Sequence, residues 1–239
     1  MTEWFEQWFG EEYLHLYPHR DDKDALDLVD LIQDSVKLQG AKVLDLACGP
    51  GRHGVHLENA GADVVGFDLS LPLLSRARHG AGLKRLVRGD MRWLPFAPAS
   101  FDLVTNLFTS FGYFEKDEQH ALLVRAIGDS LVNGGVFVLD FFNATWVRDT
   151  LIASEEKVLG TRRVSITRKI SEDNRFVVKE IHLVDDGRSF LERVRLFDVE
   201  DLSAMITAAG MDIGVICGDY YGAEYTRNSP RTIFVARRP

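Results

Sequence analysis

An α/β fold built on a doubly wound, mostly parallel sheet is predicted by three features of this 239-residue chain. Between Lys42 and Phe142, short apolar runs alternate with segments of helical periodicity, and strands joined through helices pair in parallel. Those runs are nearly continuous in apolar residues, as burial on both faces of a sheet requires. The first of them, in KVLDLACGPGRHG (Lys42–Gly54), ends in a glycine-rich turn that opens directly into a helix.

Phe5, Phe9, Tyr13, Leu16 and Tyr17 fall on one helical face that ends at Pro18. This is either a stripe packed on the domain or a lid tipped by Tyr17, His19 and Arg20. Ala25, Leu28, Val29, Ile32 and Val36 mark an amphipathic helix from Asp22 to Lys37, stopped by Gly40. Strand 43–47 and helix 52–60 follow, then strand 63–68 (DVVGFD) and a helix over 71–79. Strand 84–89 leads to Asp90-Met91 in a loop, and strand 101–107 precedes helix 117–131. Asn133-Gly134-Gly135 is expected to end that helix before strand 136–142 and a helix over 145–153. After Ser154 the rhythm changes. Residues 164–170, 176–184 and 190–197 read as three consecutive strands, with Asp186-Gly187 as a hairpin signal. Helix 199–209 and strands 211–217 and 232–236 complete the chain. The expectation is one domain over 1–239, with an antiparallel β insertion at 159–197 that caps the site or pairs subunits as a homodimer.

The formal charge of −8 and pI near 5.4 argue against a nucleic-acid partner, which requires a basic footprint. The clusters 84–92 and 162–169 are interrupted by apolar residues and read as solvated strand edges. Cys48 and Cys217 form no ligand pattern and fit a reduced, cytoplasmic setting. The acidic, aromatic start MTEWFEQWFGEE is unlike a signal peptide. No apolar run approaches the ~20 residues that cross a bilayer. The seven histidines are scattered, so no metal site is expected.

The stretch Gly49–Gly54 matches G-x-G-x-x-G, and Asp68 follows Gly49 by nineteen residues, the spacing of a dinucleotide fingerprint. A nicotinamide-dependent oxidoreductase is therefore one reading. Asp45 opposes it, because a carboxylate beside the turn repels a pyrophosphate. At an effective ε of about 20, two unit charges about 6 Å apart interact by ~3 kcal/mol. A cationic, phosphate-free ligand with a ribose diol and an adenine suits the site better, and S-adenosylmethionine is such a molecule.

From about Lys42 to Phe142 the sequence resembles the class I S-adenosylmethionine-dependent methyltransferases. Asp45, Ala47, Gly49 and Gly51 stand where that family has an acid followed by alternating small residues. Ala47 and His53 depart from its fuller glycine-rich form. The resemblance implies a Rossmann-like sheet of seven strands with the final one antiparallel, and S-adenosylhomocysteine as product. It implies that Asp68, with Leu69 beside it, binds the ribose, that Asp90 and Met91 meet the adenine, and that Asn106 and Leu107 line the pocket. More loosely, the LYPHR segment and FTSFGYF (Phe108–Phe114) are similar to a small-molecule branch that includes amino-sugar and glycine-type N-methyltransferases. Tyr17 and Arg20 would then close over the methionine end, and Tyr113 would lie near the methyl group. Core packing is the competing reading of the 108–114 loop. Asp219–Gly222 and Tyr225 either reach the acceptor or lie on the surface. The implied function is methyl transfer to a nitrogen or oxygen of a small-molecule acceptor. A non-catalytic adenosyl-ligand-binding protein of the same fold is the remaining alternative.

Overall fold

The alternating segments form one twisted sheet whose strand order puts the glycine turn at the point where the winding reverses. The structure is a computed structural model and describes residues 3–17 and 22–239. Among these, eleven strands make two sheets. The larger contains β1 (Lys42–Leu46), β2 (Asp63–Asp68), β3 (Arg85–Arg88), β4 (Phe101–Asn106), β5 (Leu131–Phe142), β10 (Asp212–Cys217) and β11 (Arg231–Arg237), in the order β10-β11-β5-β4-β1-β2-β3. β1 pairs in parallel with both β2 and β4, whereas β11 runs antiparallel to β5 and to β10. The crevice beyond the carboxyl ends of β1 and β4 is thus the expected binding place of an open α/β sheet.

Side-chain alternation along the strands builds two apolar layers. Val43, Leu103, Val136 and Val138 pack with α3 (Asp22–Gln33) and α4 (Arg52–Asn59). Leu44, Val104, Phe137 and Leu139 pack with α6 (Asp117–Ser130) and α8 (Val199–Ala208) on the other face. A capping box between Asp198 and Asp201 starts α8. α5 (Leu71–Arg76) follows β2, with the Ser70 side chain capping its start.

Several boundaries differ from the sequence reading: α3 ends at Gln33 and the helix after β5 at Thr150, each short of the expected end, and two other differences bear on the sheets. α6 ends at Ser130, and Asn133-Gly134-Gly135 enters β5 instead of capping the helix. Gly134 N–H donates to the Arg238 carbonyl and Arg238 N–H to that of Gly135, so pairing with the C-terminal segment claims this backbone. The insertion has four strands and begins at Ser154, not Leu159: β6 (Ser154–Leu159), β7 (Arg162–Ile170), β8 (Phe176–Leu183) and β9 (Ser189–Arg195), after α7 (Ala144–Thr150). β6 escaped notice because SEEKVL is charged and lacks alternation; it is an exposed edge, where charge discourages stray pairing.

The N-terminal stripe is broken at Gly10 into α1 (Trp4–Trp8) and α2 (Glu11–Leu16). Trp8, Tyr13 and Leu16 share a buried cluster with Val164, Ile166, Ile181 and Leu183 of the insertion. The stripe is therefore packed, but against the inserted lobe, and together they roof the crevice. Ile181 is fully buried in this cluster. Ile181→Ala is expected to cost about 2–5 kcal/mol by leaving a cavity, read as a lower urea midpoint.

Candidate functional site

The glycine turn uses its own amides. Cys48 N–H donates to the Phe67 carbonyl (3.1 Å), Gly49 N–H to Asp68 Oδ2 (2.8 Å) and Gly51 N–H to the Cys48 carbonyl (3.0 Å), while Pro50 has none to offer. A turn that holds a pyrophosphate needs such groups directed at the ligand. Here the first glycine instead anchors an acid from the neighbouring strand. Gly49 and Gly51 have φ of 55° and 85°, and even Ala47 adopts φ 57°, a conformation that costs a non-glycine residue roughly 1–2 kcal/mol. A Cβ on Gly49 would meet nothing within 4 Å, so its open side faces the crevice.

Asp68 ends β2 and accepts Gly49 N–H on Oδ2 and Ser70 N–H on Oδ1, each at 2.8 Å. Burial raises its pKa against the effect of these bonds. Asp90, beyond β3, receives the Arg92 guanidinium on both oxygens and Arg92 N–H on Oδ1. Burial opposes its charge, but Arg92 outweighs that and holds the carboxyl below its usual range. Arg92 also lies over the Phe5 and Phe114 rings, at 5.9 and 5.5 Å.

Three bonds pin the aromatic loop after β4. Phe108 N–H donates to Asp140 Oδ2 (2.8 Å), Phe114 N–H to His120 Nε2 (3.2 Å), and Arg195 N–H of β9 to the Gly112 carbonyl (2.8 Å). A Cβ on Gly112 would stand 3.0 Å from Val194 and 3.2 Å from the Arg195 carbonyl, at φ 84°, so the lobe's approach requires glycine. Phe108 and Thr109 are both left-handed, with φ 55° and 62°. Asp140, fully buried on β5, over-determines that strain. Its Oδ1 receives the Arg231 guanidinium (2.6 Å), its Oδ2 the Tyr220 hydroxyl (3.1 Å), and Arg231 Nη2 reaches Thr109 Oγ1 (3.1 Å).

A cavity of about 900 Å³ joins these parts. Ala47, Gly49, Asp68, Leu69, Asp90 and Met91 line one end. Phe108, Thr109, Ser110 and Tyr113 line it as well, together with Trp4, Phe5 and Phe9. Glu155, Arg168, Lys179 and Glu192 of the lobe close the other end. Tyr113 packs among the rings of Trp4, Phe5 and Phe9, with centroids 5.0–6.2 Å apart, whereas Phe111 of the same loop is core. No group of three His, Cys, Asp or Glu suited to a metal ion occurs among the described residues, and none of their helices is long and apolar enough to cross a membrane.

A methyltransferase-domain family model matches residues 43–135. The dTDP-3-amino-3,4,6-trideoxy-α-D-glucopyranose N,N-dimethyltransferase of Streptomyces venezuelae is 28% identical over 204 residues, which cover 82% of this chain and 85% of that protein. The S-adenosylmethionine-bound structure of CalS10, an amino pentose methyltransferase from Micromonospora echinaspora involved in calicheamicin biosynthesis, aligns with TM-score 0.70 and 26% identity over 96% of each chain. The chain belongs to the class I S-adenosylmethionine-dependent methyltransferases. The CcbJ methyltransferase of Streptomyces caelestis shares the fold, with TM-score 0.83 and 18% identity over 99% of each chain.

S-adenosylmethionine is the methyl donor of this methyltransferase, and the nicotinamide reading falls. The charge argument that favoured the sulfur cofactor pointed to the wrong acid, however. Asp45 does not line the cavity; it lies beneath the turn, 2% exposed, accepting from Thr105 Oγ1 (3.1 Å). Its Oδ2 has no hydrogen-bond partner among the described residues. Asn106 is likewise behind the wall, donating to the Leu46 and Ser110 carbonyls. Phe108 to Ser110 take the lining place expected of it, and Leu107 faces an adjoining cavity. Gly51 serves the turn from behind: a Cβ there would stand 2.8 Å from Leu83. Tyr17 also faces the adjoining cavity, with its hydroxyl 3.2 Å from Lys179 Nζ, and Arg20 lies outside the described residues. Tyr220 is committed to Asp140, Tyr225 to Asn143 (3.4 Å), and Tyr221 is exposed, so that loop does not reach the cavity.

Arg92, Asp140 and Arg231 were not singled out in the sequence. Asp140 carries the same signal as Asp45, an acid inside an apolar run (VFVLDFF); its partner is ninety-one residues away.

Burial, against the Thr105 bond and with Asp68 nearby, pushes the Asp45 pKa up to about 7. An unfolded aspartate ionises near pH ~4. Stability from keeping Asp45 neutral is therefore complete below about pH 4 and lost as pH rises through about 7. Asp45→Asn removes that loss, so its stability relative to wild type should rise from pH 5 to pH 8, measured as the difference in urea midpoints without cofactor.

Proposed function

We propose that this methyltransferase methylates a nitrogen or oxygen of a small-molecule acceptor held in the chamber between the 108–114 loop, α1–α2 and the lobe. The observation that carries this is the continuity of one roofed cavity from Asp68 to the lobe. Its volume, about 900 Å³, is at the upper end of small-molecule pockets. The first relative is an N,N-dimethyltransferase of an amino sugar by its name, and the second a methyltransferase of an amino pentose, which favours nitrogen.

The residues present fit the donor. Asp68, with each oxygen already fixed by one N–H, has lone pairs left to accept both ribose hydroxyls. Leu69 and Met91 flank the adenine, and Asp90, set in place by Arg92, accepts from its amino group. Ala47 and Gly49 offer a wall without side-chain bulk, Gly51 completes the turn, and Asp45 and Asn106 support it from beneath. Tyr17, on the adjoining cavity, is assigned to the methionine end, and the family resemblance assigns Arg20 to the same role. Leu107 and the 108–110 backbone border the sulfonium. When bound, the cofactor supplies an electrophilic methyl group. The protein's own work is alignment and exclusion of water by the aromatic roof, with the Tyr113 hydroxyl orienting the acceptor. In this reading the lobe serves first as a cap, and subunit pairing through it is secondary. Two free, buried cysteines support a cytoplasmic setting.

Calorimetry is expected to show binding of S-adenosylmethionine and S-adenosylhomocysteine without NAD. Asp68→Ala should weaken S-adenosylhomocysteine at least tenfold with the fold intact, since a charged hydrogen bond contributes ~1.5–3 kcal/mol; an unchanged affinity would remove Asp68 from the ribose site. A screen of small amines, hydroxylated metabolites and amino sugars, read as S-adenosylhomocysteine release, identifies the acceptor. With that acceptor, Tyr113→Phe should lower kcat about tenfold or more and leave S-adenosylhomocysteine affinity unchanged.

A further inference from the structure

The face of the lobe that closes the cavity carries one transverse row of charges. Arg168 on β7 stands opposite Lys179 on β8, and Lys179 opposite Glu192 on β9. Glu155 of β6 completes the row through its ion pair with Arg168. Across the sheet the signs run negative, positive, positive, negative, and all four residues line the cavity. Val177 and Val194, two residues from Lys179 and Glu192, line it too, as the two-residue period of a strand requires.

Two like charges directly opposite on neighbouring strands destabilise a sheet. Here each cation is drawn outward by the acid on its own side. Arg168 Nη2 donates to Glu155 (2.5 Å), and Lys179 Nζ to Glu192 Oε2 (3.1 Å) and the Tyr17 hydroxyl (3.2 Å). Glu192 is held in turn by Trp8 Nε1–H (2.7 Å). Among the described residues no third carboxylate bonds either cation. Among those residues Arg168 Nε–H makes no bond, and Lys179 uses two of its three ammonium protons. The side chains of both cations are about one-fifth exposed, 19% and 18%, and both line the cavity. Asp68 and Asp90 line the same cavity.

We propose that Arg168 and Lys179 jointly bind an anionic group, a carboxylate or a phosphate, carried by the methyl acceptor away from its nucleophilic atom. This rests on the cavity being the acceptor chamber, and it gives that chamber a polarity: anion to the lobe, nucleophile to the donor. The guanidinium fork and the ammonium are suited to oxyanions, and partial burial strengthens both relative to surface charges. The acids at either end of the row hold the two cations in place when no anion lies between them.

The Trp8 indole N–H touches Glu192, so its NMR resonance reports on the row. Inorganic phosphate, acetate and uncharged glycerol are titrated into the full-length protein, alone and with S-adenosylhomocysteine. A saturable shift of the Trp8 signal with phosphate or acetate, and none with glycerol, is expected; the tighter of the two anions identifies the group. Arg168→Gln and Lys179→Met should each weaken that anion at least tenfold without altering S-adenosylhomocysteine affinity. Glu192→Gln, which frees Lys179, should strengthen it, an effect that structural damage does not produce. Absence of a saturable shift with both anions, or equal affinity in both cation variants, overturns the proposal. Failure of S-adenosylhomocysteine to bind the wild type would instead overturn the donor-site reading, and the titration of the protein alone still decides the anion site.

Discussion

The hydrogen bond from Gly49 to Asp68 is the contact on which the glycine-turn wall of the cavity depends. It joins the turn after β1 to the carboxyl end of β2, and it exists because those strands pair in parallel with Leu46 opposite Phe67. Once Gly49 N–H is spent on a carboxylate, the turn has little to offer a phosphate, and an acid stands where a diol can be bound. The left-handed Ala47, Gly49 and Gly51 let the chain make this connection without placing a side chain in the crevice.

Two buried aspartates show how one sequence signal leads to different physics. Asp45 and Asp140 each interrupt an apolar strand. Asp45 meets a threonine hydroxyl and makes no ion pair among the described residues, and its ionisation moves up to about 7. Asp140 meets Arg231, Tyr220 and the backbone of a strained loop. Removing one partner of such a buried pair strands the other in a low dielectric, so the loop's conformation and the Asp140–Arg231 pair stand together. Through that pair the last strand of the chain helps to shape the cavity flank.

The roof has a different origin. α1 and α2 are too short to be stable helices alone; Trp8, Tyr13 and Leu16 gain their burial from the inserted lobe. The lobe is tied to the aromatic loop through Gly112 and Arg195. The walls of the cavity are therefore assembled by separate parts of the chain that meet only in the folded state.

The parallel sheet, most of its strands and the succession of Asp68, Asp90 and the glycine turn were legible in the sequence, because periodicity and turn chemistry are local properties; the start of β5 was not. The lobe was legible in outline, short of its charged edge strand. Which acid faces the ligand was not: Asp45 and Asn106 carry the right residue types, yet register and helix packing turn them behind the wall. Nor were Arg92 beside Asp90, Arg231 beside Asp140, or the row from Glu155 to Glu192, since a residue's partner across a sheet is fixed by pairing register and not by proximity in the chain. Local chemistry determined the fold and the cofactor; tertiary pairing decided which charges are neutralised and which face the cavity.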